Sequence, residues 1–134
     1  QSLLKLYQLS GRTNYLDKVE TTVRSFVTAM RRSPIGFLRF AAVIEELTSP
    51  LQQVAIIGNG VEGSSKGLLE IINRQYMPGT VLAFSPDGKT AGVELLSDRS
   101  IIDGMPAAYF CHNFACEFPV TTSEELRRLI VEAK

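Results

Sequence analysis

Two short apolar runs, separated by a segment of helix length, constrain the fold of this chain most. The first run covers residues 53–57 and ends at Gly58, and the second covers residues 80–84. Apolar runs of this length are typical of strands buried on both faces of a parallel sheet. Ser64 or Ser65 can cap a helix between them, and apolar residues recur along one face of that helix. The sequence therefore predicts a βαβ unit with parallel strands and a right-handed crossover.

A third strand and a last helix follow this unit. Residues 107–111 form a five-residue apolar run bounded by Gly and Pro and by polar residues, which predicts a short buried strand. The first strand is the most apolar and should be central, so we expect the strand order 2-1-3. Residues 90–102 fit either a short helix or a loop. Thr122 and Glu125 form a capping-box pattern at the start of the last helix. The inner face of that helix is predicted to carry Leu126, Leu129, Ile130 and Ala133.

The first 50 residues predict helices alone. A short apolar helix over residues 3–9 stops at Gly11, since Gly is common just past a helix end. A second helix over residues 15–32, with Asn14 as its N-cap, has apolar residues three and four apart. The pair predicts an antiparallel αα-hairpin. A third helix begins at Ser33-Pro34. Its predicted buried stripe is Phe37, Phe40, Ala41, Ile44 and Leu47.

The predicted fold class is α/β, with a helical segment over residues 1–50 and a small α/β unit with a three-stranded parallel sheet and flanking helices over residues 51–134.

Charge and hydropathy exclude some partners. The chain has 14 basic and 14 acidic residues and a formal net charge of zero, whereas nucleic-acid binding needs an excess of Lys and Arg on one face. No apolar run approaches the roughly 20 residues of a membrane span. We therefore expect neither a nucleic-acid nor a membrane partner. The first residues resemble the middle of a helix, so we interpret the chain as a fragment of a larger protein. Two cysteines do not decide the compartment, and the cytoplasm is favoured.

A glycine-rich loop follows the first strand and gives the sharpest motif match. Residues 58–63, GNGVEG, fit the spacing of a dinucleotide-binding loop at Gly58, Gly60 and Gly63. In such a loop the third glycine lies inside the first helical turn, whereas Gly63 precedes the predicted cap. No acidic residue follows directly at the end of the second strand. The favoured interpretation is a flexible βα loop with Asn59 in it, and the alternative is a weak anion or nucleotide site.

Cys111 and Cys116 flank the only histidine, His112, and allow three interpretations. A structural zinc site needs about four ligands, and this stretch offers three at most. A redox pair is possible, but the thiol pKa is lowered by C-x-x-C spacing at a helix start, whereas this is C-x4-C after a strand. A disulfide requires the chain to turn back between Phe114 and Ala115, so that the two Cα atoms approach. The favoured interpretation is a pair of reduced cysteines that pack in the core. We expect no metal and no cofactor.

His112 and Asn113 come directly after the third strand. In a parallel sheet of order 2-1-3, the loops after the first and third strands meet beside the point where strand order reverses. The sequence therefore predicts that residues 58–60 lie near His112 and Asn113, and that any site of this unit is there. A lone His is more often structural, no catalytic partner of His112 is apparent, and we assign no catalytic residue.

The end of the chain resembles a known family. The pattern A-Y-x-C-x-N-x-x-C, then P-[VI]-T and E-L-R-x-L, is met by Tyr109, Cys111, Asn113, Cys116, Pro119, Thr121, Glu125, Leu126 and Arg127. This ending is similar to that of the YyaL-type, thioredoxin-domain-containing proteins related to the spermatogenesis-associated protein 20 family. Weaker matches are the Met-Arg-Arg-x-Pro of residues 30–34, the first strand with Gly58, and the stretch 76–82. The resemblance implies a much longer protein, with an N-terminal thioredoxin-like domain and a central (α/α) barrel like those of glycosidases and sugar epimerases.

Three functions follow as hypotheses. The first is a structural, non-catalytic C-terminal region whose helices complete the barrel and whose partner is the remainder of its own parent chain. The apolar face of the helical hairpin also predicts self-association of the isolated chain. The second is an accessory part of a carbohydrate-active enzyme pocket, by analogy of fold alone. The third is a nucleotide-binding module that uses the glycine loop.

Overall fold

A computed structural model describes residues 1–90 and 92–132, and the chain forms two compact units, Gln1–Pro50 and Leu51–Lys134. The first unit is built from helices, and the second is a sheet with helices packed on it. Ala133, expected on the inner face of the last helix, lies outside the described residues. In the part of the chain that the structure describes, no helix has the length and apolar character needed to cross a membrane.

Three helices and one 3₁₀ turn make up the first unit. Helix α1 (Ser2–Ser10) is followed by α2 (Thr13–Arg32), the 3₁₀ turn Pro34–Phe37 and α3 (Leu38–Thr48). As predicted, α1 ends at Gly11, which has φ 67° and donates its N–H to the Tyr7 carbonyl at 2.8 Å. The predicted N-cap of α2 is wrong, because Asn14 lies inside the helix and Arg12 occupies the cap position.

The core of this unit is formed by Leu4, Val19 and Val43, with partly buried apolar residues around them. The predicted inner stripe of α3 is therefore partly wrong, since Val43 and Glu46 are buried and Ala41 is exposed. The reason is that the helix starts after a 3₁₀ turn. That turn changes the phase of the apolar pattern, and Phe37 and Phe40 pack with each other instead. The buried Glu46 carboxylate is paired with Lys5, whose Nζ lies 2.5 Å from Oε1.

In its described residues, 51–90 and 92–132, the second unit contains four strands and two α-helices. In chain order they are β1 (Gln52–Ile57), α4 (Lys66–Arg74), β2 (Val81–Ser85), the 3₁₀ turn Glu94–Leu96, β3 (Ala107–His112), β4 (Ala115–Cys116) and α5 (Ser123–Glu132). Both predicted strands of the βαβ unit, the helix between them and the third strand are confirmed. The ambiguous stretch around residue 95 contains the 3₁₀ turn. Thr122 caps α5 as predicted, since its Oγ1 accepts the Glu125 N–H at 3.3 Å and donates to the Glu125 carboxylate at 2.9 Å.

The sheet has the strand order β2-β1-β3-β4. Strand β1 lies between β2 and β3, as expected, and pairs with β2 in parallel. However, β3 runs antiparallel to β1, and β4 forms an antiparallel hairpin with β3. The prediction of a three-stranded, fully parallel sheet is therefore wrong. The reason is the connection over residues 86–106. It has no crossover helix in its described part, and it re-enters the sheet where β2 ends, because Ser85 and Ala107 both pair with Ile57.

One face of the sheet is covered by α4 and α5. Val54 and Ile56 of β1 and Ala108 and Phe110 of β3 form the core with buried residues of both helices. The helix residues of this core are Leu68, Ile71, Ile72, Leu126 and Ile130. Burial of such side chains stabilises a domain by about 1.5–3 kcal/mol each, so this cluster fixes the register of β3 on β1.

Strand β2 is an edge strand with one buried face. Val81 and Ala83 are buried, but Leu82 and Phe84 are 37% and 39% exposed. The expectation that this strand is buried on both faces is therefore wrong in the described structure. The apolar run of residues 80–84 does not distinguish a central strand from an edge strand that keeps two exposed apolar side chains.

Candidate functional site

The two loops that were predicted to meet lie at opposite ends of β1. Ile57, which precedes the glycine loop, pairs with Ala107 at the start of β3, and Gln52 pairs with His112 at its end. The predicted contact of residues 58–60 with His112 and Asn113 is therefore wrong. Because β3 is antiparallel, its carboxyl end lies at the edge where β1 begins. The candidate residues thus separate into a glycine loop at one edge and a cysteine hairpin at the other.

Backbone geometry explains why each of the three glycines in the loop over residues 58–63 is a glycine. A Cβ at Gly58 would lie 2.3 Å from the Pro86 carbonyl oxygen, so only glycine fits between the ends of β1 and β2. There the Gly58 N–H donates to Ser85 O at 2.7 Å, and the Gly60 N–H donates to Pro86 O at 2.9 Å. Gly60 and Gly63 have φ of 78° and 77°, in the region that favours glycine. Gly63 lies outside α4, as predicted, so the triad is accounted for by chain geometry.

Both polar atoms of the Asn59 side chain form hydrogen bonds. Its Nδ2 donates to the Gly104 carbonyl at 3.0 Å, which ties the loop to the turn before β3. Its Oδ1 accepts the Val61 N–H at 3.1 Å and the Ser64 hydroxyl at 2.7 Å. Ser64 also donates to Val61 O. Ser65 occupies the N-cap position of α4, as one of the two predicted candidates, but its side chain makes no cap hydrogen bond. Asn59 therefore organises the loop.

A cavity of about 720 Å³ lies beside this loop, the start of α4 and the end of β2. Its ionisable lining residues are Glu62, Lys66, Glu70 and Asp87. The Lys66 ammonium lies 3.9 Å from the Glu70 carboxylate, so the cation is already paired. A hydrogen bond from the Lys89 side chain lowers the pKa of Asp87 below its usual value of 3.8 and keeps this carboxylate charged. Lys66 is the one cation among the described lining residues, and its pairing with Glu70 leaves no free positive charge there for a phosphate group.

The opposite edge carries a tight hairpin. Strands β3 and β4 are joined by Asn113 and Phe114, which have φ of 48° and 67°. Positive φ at both central residues is the mark of a type I′ turn, which matches the twist of the strands. The turn is bonded to the start of β1. Leu51 N–H donates to Asn113 Oδ1 at 3.1 Å, Asn113 N–H donates to Leu51 O at 3.0 Å, and Phe114 N–H donates to the buried Gln53 side chain at 2.9 Å.

The hairpin brings Cys111 and Cys116 together as directly opposite residues, and a disulfide joins them. The favoured expectation of two reduced packing cysteines is therefore corrected. In the next pair of residues along the hairpin, the Glu117 N–H donates a hydrogen bond to the Phe110 carbonyl at 2.9 Å. The cysteines thus occupy a pair without backbone bonds between them, where side chains lie closest. Cys111 is fully buried, whereas Cys116 lies on the edge strand and is partly exposed.

Arg99 is the neighbour of this disulfide that the sequence did not reveal. Its Nη2 lies 2.8 Å from Cys116 Sγ and 3.7 Å from Cys111 Sγ. Its guanidinium carbon is 5.4 Å from the centre of the Tyr109 ring, a cation–π distance. Its Nε is buried and has no hydrogen-bond partner among the described residues. A permanent cation is thus held against the two sulfur atoms.

Tyr109 fixes the segment that carries Arg99. The Tyr109 hydroxyl donates to the Ser100 carbonyl at 2.8 Å and accepts the Ser100 N–H at 3.2 Å. A side chain of β3 therefore holds the residue next to Arg99 by two hydrogen bonds. Arg99 lies in the stretch that fitted either a helix or a loop, where no periodic pattern indicated its neighbours. The one available signal was Tyr109 itself, since a Tyr within a buried strand usually needs a partner for its hydroxyl.

His112 and Asn113 have structural surroundings. The His112 ring packs edge-on against Phe110, with 5.0 Å between the ring centres, and Asn113 forms the turn. Within residues 1–90 and 92–132, no cluster of three or more His, Cys, Asp or Glu side chains is arranged to hold a metal ion.

Comparison with known proteins relates the chain to a longer protein. It is 28% identical over 134 residues to spermatogenesis-associated protein 20 of Homo sapiens, 28% identical to that of Rattus norvegicus and 27% identical to that of Mus musculus. Each match covers 96% of this chain and 17% of the relative. The chain thus spans about a sixth of the length of the curated relatives it matches. No protein-family model matches, and no solved structure matches.

These matches confirm the resemblance that the ending motif indicated. The matched part of the relatives is their C-terminal part, as the sequence predicted. Over nearly its whole length, this chain is homologous to the C-terminal part of spermatogenesis-associated protein 20.

Proposed function

We propose that this chain is a structural, non-catalytic C-terminal region of a larger protein of this kind, and that it packs against the remainder of that protein. The proposal keeps the two parts predicted from the sequence as domains: a helical segment over residues 1–50 that completes an (α/α) barrel, and a small α/β unit over residues 51–134. The barrel and the thioredoxin-like domain stay predictions for the longer protein. Any activity on carbohydrates would belong to that barrel.

An exposed apolar surface on the helical unit carries the proposal. Phe26, Phe37 and Phe40 form an aromatic cluster, with ring centres 5.0 to 6.0 Å apart, and Phe26 is 41% exposed. Beside Phe37 in sequence, Ile35 is 84% exposed and Leu38 is 67% exposed. We call these five residues the apolar corner. We propose that these side chains form one patch, and exposed apolar patches mark interaction sites because monomers rarely leave them in water.

The proposed occupant of the apolar corner is the rest of the parent chain. The relatives extend far beyond the matched 17%, so most of their length is available to cover this surface. Each apolar side chain covered there would contribute about 1.5–3 kcal/mol. Without that cover, the isolated chain is expected to self-associate through the same residues.

Cysteine labelling tests the proposal in the longer protein. Ile35→Cys introduces a thiol at the apolar corner, and peptide mass assigns the label to position 35, separately from Cys111 and Cys116, which are joined in a disulfide. Thr28→Cys is the matched control, because Thr28 is exposed on α2 and lies about 200° around the helix from Phe26. We expect the thiol at position 35 to react at least about tenfold more slowly in the longer protein than in the isolated chain, as a burial of roughly 1.4 kcal/mol implies. The thiol at position 28 should react equally in both.

Two outcomes would overturn this proposal. Equal labelling at position 35 in both proteins would show that nothing covers the apolar corner. A clean monomer by light scattering at high concentration, with no binding of an apolar dye, would contradict the predicted self-association. In the isolated chain, Ile35→Ser with Leu38→Ser should reduce the apparent mass, whereas Thr28→Ser should leave it unchanged.

The nucleotide alternative has its own test. Titration of the chain with mononucleotides and dinucleotides at millimolar concentration should give no heat and no shift of amide signals in residues 58–66, since the one cation among the described residues that line the cavity, Lys66, is already paired with Glu70. Saturable binding that is lost in Lys66→Gln would overturn the non-binding assignment and favour a nucleotide module.

A further inference from the structure

We propose that Cys111 and Cys116 form a redox-active disulfide that exchanges with dithiols, with Cys116 as the exchanging sulfur and Arg99 as the residue that stabilises its thiolate. The site is the sulfur pair, the guanidinium beside it and the tyrosine that holds the guanidinium in place. Its substrate class is a small dithiol or a dithiol on another protein segment.

The position of Arg99 is the first argument. A guanidinium at 2.8 Å from Cys116 Sγ is at hydrogen-bond distance from that sulfur. A neighbouring cation favours the thiolate over the thiol and lowers the pKa of a cysteine. Besides the sulfurs, the guanidinium contacts the Ser97 carbonyl at 3.5 Å and the Tyr109 ring. It faces no carboxylate among its described contacts, so its charge is left to act on the sulfurs.

The cost of holding this arginine is the second argument. Its Nε is buried without a hydrogen-bond partner in the described residues, which destabilises the folded chain. The Tyr109 hydroxyl both donates a hydrogen bond to the backbone of Ser100 and accepts one from it, and Ser100 is the residue next to Arg99. A purely packing role would be met better by an apolar side chain. A half-buried cation held beside sulfur has a chemical consequence, which is the stabilisation of the reduced form as a thiolate.

The difference in burial assigns a role to each sulfur. Cys111 is 0% exposed in β3, so an external thiolate cannot reach it while the sheet is intact. Cys116 is partly exposed on β4, which has only two residues and lies at the sheet edge. Exchange therefore begins at Cys116 Sγ, and Cys111 is the buried thiol that later restores the disulfide.

The exchange is balanced in atoms and electrons. One thiolate of the dithiol attacks Cys116 Sγ, a new S–S bond forms, and the Cys111–Cys116 bond breaks with its electron pair on Cys111 Sγ, which takes up a proton. The second thiolate of the dithiol attacks the mixed disulfide at the dithiol's own sulfur and releases Cys116 as a thiolate beside Arg99. The protein disulfide is reduced by two electrons, and the dithiol is oxidised to its cyclic or intramolecular disulfide.

The pH profile of Cys116 alkylation tests the role of Arg99 directly. The chain is reduced with dithiothreitol, and the labelling rate of each cysteine is followed by peptide mass between pH 5 and 10. We expect Cys116 to label first, with a midpoint at least about one pH unit below the usual thiol value near 8.5. Arg99→Gln should move that midpoint upward by about one unit, and Arg99→Lys should restore part of the shift because it keeps the charge.

Equilibration with glutathione buffers gives a second readout. If Arg99 lowers the midpoint by about one unit, the equilibrium constant for reduction should fall by up to about tenfold in Arg99→Gln at pH values above both midpoints, because less of the reduced form is ionised. Arg128→Gln, on the exposed face of α5, is the matched control and should change neither quantity. Circular dichroism of every variant checks that the fold is retained.

Three results would overturn the proposal. An unchanged pH profile in Arg99→Gln would show that the guanidinium does not act on the thiolate. Faster labelling of Cys111 than of Cys116 would contradict the assignment of the two sulfurs. A disulfide that resists dithiothreitol until the chain unfolds would show that the bond is structural only.

Discussion

Replacement of Gly58 by alanine tests whether the close approach of β1 and β2 requires glycine. The added Cβ would lie 2.3 Å from Pro86 O, 2.9 Å from Pro86 C and 3.0 Å from Pro86 Cα. All three are backbone atoms, so no side chain can rotate to relieve the contact. The ends of the strands must separate, which would lengthen the bonds from Gly58 N–H to Ser85 O and from Gly60 N–H to Pro86 O.

The expected loss in the free energy of unfolding is about 2–4 kcal/mol. Overpacking in a well-packed region costs about 1–3 kcal/mol. Two weakened backbone hydrogen bonds add up to about 1 kcal/mol each. Removal of a glycine restricts the unfolded chain and restores about 0.4–1 kcal/mol. The steric and hydrogen-bond losses therefore exceed the gain.

Gly79→Ala is the matched control for this prediction. A Cβ at Gly79 would have no atom within 4 Å, and its φ is not positive, so only the gain from the unfolded chain should remain. Urea denaturation followed by circular dichroism measures both variants, and the slope of each transition shows whether unfolding stays two-state. If Gly58→Ala and Gly79→Ala differ by less than about 1 kcal/mol, the explanation of the first glycine by close approach is refuted.

Three further predictions follow from contacts at the two edges of the sheet. Asn113→Ala should lower the free energy of unfolding by about 1–2 kcal/mol, since it loses the bond to Leu51 N–H and places alanine at φ 48°; Asn113→Gly should lose less, and equal losses by urea denaturation would contradict the turn argument. Replacement of both cysteines by serine should destabilise the chain by about 2 kcal/mol, because the disulfide closes a short loop; a loss above about 4 kcal/mol in the same assay would mean that the core is disturbed. Lys89→Ala should raise the pKa of Asp87 toward its usual 3.8, because the side-chain hydrogen bond that lowers it is removed. Since the folded pKa of Asp87 is the lower one, its stabilising effect is present above about pH 4 and is lost as the pH falls through the folded pKa; an unchanged Asp87 titration by carboxyl NMR would show that Lys89 does not act on it.

Apolar patterning was sufficient to predict the main elements of the second unit. Strand β1, helix α4 and strand β3 contribute inward-facing residues such as Val54, Leu68 and Phe110, and burial of those residues is what their patterns encode. The cap of α5 was predictable because Thr122 and Glu125 interact locally. The position of β1 between β2 and β3 followed from its apolar composition.

The direction of β3 was not encoded in its own residues. An apolar run such as residues 107–111 reads the same in either direction, and direction is decided by the path of the preceding connection. The lack of a helical pattern in residues 86–106 was the signal against a parallel strand, because parallel neighbours need a long crossover. The hairpin was missed for a different reason. Its turn uses Asn113 and Phe114 at positive φ, and the second of these lacks the glycine that usually marks such a turn.

The interpretation of the cysteines as either packing residues or a redox pair treated them as equivalent, and the hairpin makes them different. Register places Cys111 opposite Gln53 at the centre of the sheet, where it is fully buried, and Cys116 on an edge strand of two residues. One sulfur therefore belongs to the core and the other to the surface, and Arg99 contacts both. A disulfide with one buried and one accessible sulfur has a defined order of exchange, which two equally buried cysteines would lack. The sequence analysis did not predict this antiparallel hairpin. The hairpin makes the two sulfur atoms differ in burial, and it brings both of them to the Arg99 guanidinium.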